Sequence, residues 1–118
     1  MVLNYNKRYS KIEFSRMTPL EQYQLVLNGK FYSKFLRRYW NREDKLEISA
    51  LFVQYLCKDV LHFNESQIVK RFSKILLKRY MLDSMLEEVF QDNVFEALDN
   101  AYPEVFEKWM FFGKNKLG

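Results

Sequence analysis

The sequence predicts an all-α fold: a single compact domain of six to seven short helices. Three observations lead there. No stretch keeps up the apolar–polar alternation of a strand. Capping signals of the form Ser/Thr/Asn-x-x-Glu/Gln stand directly before apolar runs, at Thr18–Glu21, Asn64–Gln67 and Asn93–Glu96. The 118 residues contain only 3 Gly and 2 Pro, and no Ser/Gly- or Pro-rich linker interrupts them. At this length folding hides roughly 65% of the unfolded chain's surface, enough for one core. With 11 Phe, 8 Tyr and 2 Trp, that core is expected to be built from rings.

Residues 1–17 are polar and aromatic without a clean period and are expected to form a partly ordered arm ahead of a helical domain at 18–112 and a tail at 113–118. The first helix has both ends written into it. Thr18 is the N-cap, Pro19 the first helical residue and Glu21 the capping-box partner, while Asn28-Gly29 provides the left-handed residue that closes it. Phe31, Phe35 and Tyr39 recur at a spacing of four, which predicts a short helix with an aromatic face. Lys34, Arg37 and Arg38 fall on its other side, within a sector of roughly 100°. Asn41 with Asp44 then caps a helix over about 43–58. That helix is apolar nearly all round and so central, burying Leu46, Ala50, Val53 and Cys57.

Asn64 and Gln67 start the next helix. Beyond them Ile68, Val69, Phe72, Ile75, Leu76 and Tyr80 share a sector of about 140°, and Lys70, Arg71, Lys74 and Lys78 share an opposing one of about 100°. A turn near Ser73 would alter that stripe. Two short amphipathic helices follow, the first capped by Asp83 or Ser84, the second by Asn93 with Glu96. Pro103 begins a last turn that plants Phe106 and Trp109. The aromatics, Trp40 and Trp109 included, are expected to point inward as core rather than to form a base-stacking platform, because stacking rings must be exposed.

Charge is segregated along the chain. Residues 1–80 hold 16 Lys/Arg against 7 Asp/Glu, residues 81–107 hold 8 Asp/Glu and no cation, and the last eleven residues add three lysines. A basic part next to an acidic part suggests an anionic partner for the first. Enzymatic chemistry finds little material. His62 is the only histidine, which leaves a Cys57–His62 dyad as the sole nucleophile–base option. Five residues apart on one helix, those side chains diverge by about 140°. No C-x-x-C, H-E-x-x-H or Gly-rich phosphate loop is present, so neither catalysis, a metal nor a cofactor is expected. Cys57 reads as a buried structural thiol, and one cysteine suits a reducing compartment. Without a secretory h-region or a run of ~20 apolar residues, the chain is expected to be cytoplasmic and to use no membrane.

From Asn28 onward the order of features resembles a known module. The stretches are NGK (28–30), YWNRED (39–44), ISALFVQYLCKDVLHFNESQI (48–68), LDSMLEEVF (82–90) and FEALDNAYPEVFEKWMF (95–111). Together they resemble the homing-endonuclease-associated repeat of bacterial and phage proteins. Arg37-Arg38 and Asp83-Ser84 stand where that family carries proline and glycine. The resemblance implies a helix-turn-helix-like accessory module that contacts DNA. Phosphate affinity needs exposed Lys and Arg. The residues expected to grip duplex DNA are therefore Lys70, Arg71, Lys74, Lys78 and Arg79, with Lys34, Arg37 and Arg38 as a second set. The competing expectation is a small phage-type adaptor or inhibitor that covers a host or phage protein. Its anchor would be an exposed cluster of Tyr5, Tyr9, Phe14 and Tyr32, and the acidic 81–107 face beside a basic one would suit electrostatic docking.

Overall fold

Side-chain caps cut this chain into short helices, and rings pin the helices together. The computed structural model describes residues 9–30 and 35–111, and these contain seven α-helices and no strand. The first, α1 (Lys11–Ser15), lies inside the stretch expected to be a loose arm. Ser10 and Glu13 cap it reciprocally, at 3.1 and 3.2 Å. Tyr9 and Met17 flank it and are buried with Leu25, so this part of the arm is folded onto α2 (Pro19–Leu27). The capping box of α2 is the expected one. The Thr18 backbone N–H donates to Glu21 at 3.0 Å and holds its carboxyl below the usual carboxylate range. Gly29, at φ 66°, closes α2 while the Lys30 and Gly29 N–H groups return to the carbonyls of Leu25 and Val26.

Beyond α2 the described residues differ from the expected aromatic helix. Leu36 is extended, and only Arg37–Trp40 form a single 3-10 turn; Phe31 and Lys34 lie outside the described residues. The reason is geometric. Phe35 and Trp40 are both buried, and on one continuous α-helix side chains five apart diverge by about 140°. An extended residue between them lets both rings reach the core.

Helix α3 (Lys45–Gln54) continues into a π-helical turn at Tyr55–Val60. It starts at Asp44, yet neither Asn41 nor the Asp44 carboxylate caps it, because Arg42 binds that carboxylate in bidentate fashion at 2.6 and 3.3 Å. Its buried face is Ile48, Ser49, Phe52, Val53, Leu56 and Cys57, two rows at i, i+4 spacing. Leu46 and Leu51, expected inside, are exposed. Two clamps lash α3 to α7 (Val94–Ala101). Gln54 donates to the Ala101 carbonyl at 2.7 Å, and Asn100 donates to the Leu46 carbonyl at 2.8 Å.

The predicted single basic helix is two helices, α4 (Glu65–Arg71) and α5 (Lys74–Arg79). Asn64 and Gln67 box the start of α4 as expected. Phe72 and Ser73 are extended, and the Ser73 hydroxyl accepts from the Leu76 N–H at 3.1 Å, restarting the helix in a new direction. Phe72 is buried at this elbow, whereas Ile75, expected in the core stripe, is 71% exposed and Leu77 takes the interior place. Helix α5 closes with Met81 in the left-handed region and the Leu82 N–H returning to the Leu77 carbonyl at 2.8 Å.

In α6 (Asp83–Phe90) neither Asp83 nor Ser84 caps; Leu82 is the flanking residue, and Ser84 is buried. Its hydroxyl accepts from the Trp40 indole N–H at 3.1 Å, so a residue expected at a helix end instead anchors a ring. Asn93 caps α7 by accepting from the Glu96 N–H. The chain ends in a 3-10 turn at Lys108–Phe111. Phe106 is buried, but Trp109 is 65% exposed and is not a core plug.

Phe52, on α3, is fully buried at the centre of the ring cluster. Tyr23 and Phe35 stack on it at 4.7 and 5.3 Å between centroids, and Trp40 meets it edge-on at 5.6 Å. The polar ends of these rings reach other elements. Tyr39 donates to the Gln22 side chain at 2.6 Å, and Tyr23 donates to the Tyr80 carbonyl at 2.9 Å, an orphan acceptor at the end of α5. Phe52→Ala is expected to lower stability by about 3–5 kcal/mol in urea unfolding, through the cavity and the lost ring contacts. Trp109→Ala, at an exposed site, is expected to change it by no more than ~0.5 kcal/mol.

Candidate nucleic-acid interface

The elbow between α4 and α5 gathers part of the basic set. Lys70, Arg71 and Arg79, with Ser73, Ile75 and Leu76, line a recess of about 230 Å³. Lys70 and Arg71 occupy the last turn of α4, where cations suit the carbonyl end of a helix. The Arg71 guanidinium also stands over the Phe63 ring, 5.6 Å from its centroid, which orients it. On α5 the i, i+4 pair Ile75 and Arg79 faces the recess, and the other i, i+4 pair, Lys74 and Lys78, faces away. None of Lys70, Arg71, Lys78 and Arg79 meets a carboxylate at ion-pair distance among the described residues, and all four are exposed.

The remaining basic residues are placed differently. Lys74 lies 3.5 Å from Asp92, and Arg37 lies 3.4 Å from Glu87 and 3.5 Å from Glu88. These pairs are exposed and contribute about 0–1 kcal/mol each, but they turn two of the expected phosphate contacts toward the acidic segment. Arg37 lines a separate recess with Phe35, Leu36, Asp83, Ser84 and Glu87. Arg38 is exposed on the same 3-10 turn, and Lys34 lies outside the described residues. The expected eight-residue basic surface thus resolves into a tight group at the elbow, Lys78 on the adjoining face of α5, and Arg37 and Arg38 elsewhere. Sequence reasoning missed Ile75 as a lining residue. The signal for it was Ser73 with its capped N–H three residues on.

Two residues of the expected aromatic anchor for a protein partner are turned inward rather than exposed. Tyr9 is buried, Phe14 is half-buried against both core clusters, and Tyr5 and Tyr32 lie outside the described residues. Cys57 is fully buried, as the sequence predicts, and burial pushes its thiol up to about 12. The exposed His62 follows at a positive φ of 53° beyond the π-helical turn. Among the described residues no group of three His, Cys, Asp or Glu is placed to hold a metal ion, and no helix is long and apolar enough to cross a membrane.

The chain belongs to the family described as protein of unknown function (DUF4046), whose model matches residues 20–107. That span runs from α2 through α7 and includes the whole elbow, while Trp109 falls just outside it. No curated protein and no solved structure matches the chain.

The buried acids set an alkaline limit on stability. Cys57 ordinarily titrates at 9.0 but keeps its proton to about 12 when folded, burial raises Tyr39 from 10.0 to about 12, and it also raises Tyr23 well above 10.0. Folded values above unfolded ones mean that the unfolded chain loses these protons first. The contribution of these three groups is therefore expected to be level below about pH 8 and to fall between pH 9 and 12, by at most ~1.4 kcal/mol per pH unit per group. Urea midpoints across that range check this. Over the same experiment, a disulfide reagent at pH 8 is expected to label Cys57 only once the chain unfolds.

Proposed function

We propose that this member of the DUF4046 family is a non-enzymatic accessory module that holds duplex DNA by its phosphates at the α4–α5 elbow. The observation that carries the reading is the convergence of Lys70, Arg71 and Arg79 on one recess with no carboxylate facing them at ion-pair distance among the described residues. Each cation that meets a phosphate releases condensed counterions, so such a group gains affinity from any duplex, and more at low salt. Two short helices joined by two extended residues give a helix-turn-helix-like corner, which agrees with what the resemblance of residues 28–111 implies.

Ile75, exposed among the three cations, suits an apolar contact with a thymine methyl group or a sugar, while the cations fix the register on the backbone. Lys78, one face round on α5, extends the grip. The carboxylates of α6 and the α6–α7 turn take Arg37 and Lys74 out of the set, and they would repel the backbone if the duplex approached from that side.

The test is the salt dependence of duplex binding, followed by fluorescence anisotropy of a labelled duplex. Replacing Lys70, Arg71 and Arg79 together by Gln is expected to reduce the log–log salt slope by about 2.7, at ~0.9 per phosphate contact. Lys74→Gln, which removes a cation already facing Asp92, is expected to change the slope by well under the ~0.9 of one full phosphate contact. A triple variant with the slope of the parent protein rejects the elbow as the DNA-binding face.

A further inference from the structure

We propose that a cleft between the end of α7 and the terminal 3-10 turn docks a basic segment of a partner protein, seating a lysine or arginine side chain against the Trp109 ring. The cleft, of about 730 Å³, is lined by Asp99, Glu104 and Glu107, by the aromatic residues Phe95, Phe106 and Trp109, and by one cation, Lys108.

Four features argue for this occupant. The first is the exposure of Trp109, at 65%. No hydrogen bond or ring contact among the described residues engages this ring, and tryptophan is among the residues enriched at the energetic centres of interfaces. The second is charge. Elsewhere in the acidic segment Glu87, Glu88 and Asp92 meet cations of this chain, but the three carboxylates of the cleft have none at ion-pair distance among the described residues. An anionic rim around aromatic rings matches a cationic side chain with an aliphatic stem, and it repels phosphate.

Third, the chain's own Lys108 places its Nζ 5.8 Å from the centre of the Phe95 ring, so a ring of this cleft already faces an ammonium group. A second cation on the open face of Trp109 would use the same chemistry. Fourth, the rim is built rather than loose. The Asp99 carboxylate accepts the Glu104 backbone N–H at 3.3 Å and holds Glu104 in the left-handed region, at φ 64°, a conformation that costs a non-glycine residue free energy. The cleft and the elbow share no residue, so this proposal stands independently of DNA binding.

The experiment titrates the full chain with a fluorescein-labelled, end-blocked peptide of alternating arginine, lysine and leucine, followed by anisotropy. Saturable one-site binding is expected. Trp109→Ala and the double variant Glu104→Gln/Glu107→Gln are each expected to weaken it by about tenfold or more. Trp109→Phe, which keeps a ring, is expected to stay within about threefold of the parent. The elbow variant lacking Lys70, Arg71 and Arg79 is expected to bind the peptide undiminished, which separates this result from the fate of the DNA reading. Circular dichroism checks that each variant is folded.

Absence of saturation overturns the proposal, as does equal affinity for the parent and Trp109→Ala, which would make the peptide a mere counterion. Self-association of the parent that Trp109→Ala abolishes would assign the cleft to a second copy instead. Tighter peptide binding after removal of residues 112–118 would assign it to the chain's own lysine-bearing tail.

Discussion

The packing of Tyr23, Phe35 and Trp40 around the buried ring of Phe52 is the constraint on which the molecule depends. Helices of five to ten residues are too short to persist alone, since nucleation is costly and each adds few bonds. What holds them is a set of rings from three separate segments meeting on α3. Ring pairs of this kind add about 0.5–1.5 kcal/mol each beyond area burial, and their polar ends work at a distance. Through Trp40 the cluster fixes α6 at Ser84, and through Tyr23 it fixes the end of α5 at Tyr80. The elbow that gathers the cations is thereby positioned from the core.

Charge placement follows from that packing. Residues 1–80 are rich in cations and 81–107 in carboxylates, and the fold brings the two parts side by side. Where they touch, at Arg37 with Glu87 and Glu88 and at Lys74 with Asp92, the charges offset one another. Two places with no residue in common gather charges of one sign without an ion-pair partner among the described residues, a basic recess at the elbow and an acidic, ring-lined cleft beyond α7. A surface with two uncompensated sites of opposite sign suits a small adaptor that meets a polyanion on one and a basic protein segment on the other.

The parts legible in the sequence were those written in local chemistry. Thr18-x-x-Glu21, Asn64-x-x-Gln67 and Asn28-Gly29 predicted helix ends correctly because caps involve only neighbouring residues. Ser10-x-x-Glu13 carries the same signal, with no apolar period after it to mark a helix. Errors arose where tertiary contacts decided. Asp44 was drawn off by Arg42, Ser84 by Trp40, and the aromatic spacing of four gave way because Phe35 and Trp40 both had a place in the core. The basic site was half legible. Composition identified the cations, but Ser73 decided which of them converge, and periodicity run through that serine put Ile75 inside when it is outside. Trp109 differs from the expectation because hydrophobicity alone does not distinguish a core ring from an exposed one.

Core packing through Phe52 and Tyr23 presents Lys70, Arg71 and Arg79 at one corner, which we propose binds phosphate. Backbone amide shifts of the isotopically labelled chain, recorded while a duplex is added at low salt, examine that role residue by residue. Perturbations are expected to concentrate at residues 70–79 and to stay weak across α6 and α7. Perturbations centred on the acidic helices, or spread evenly over the surface, would contradict it.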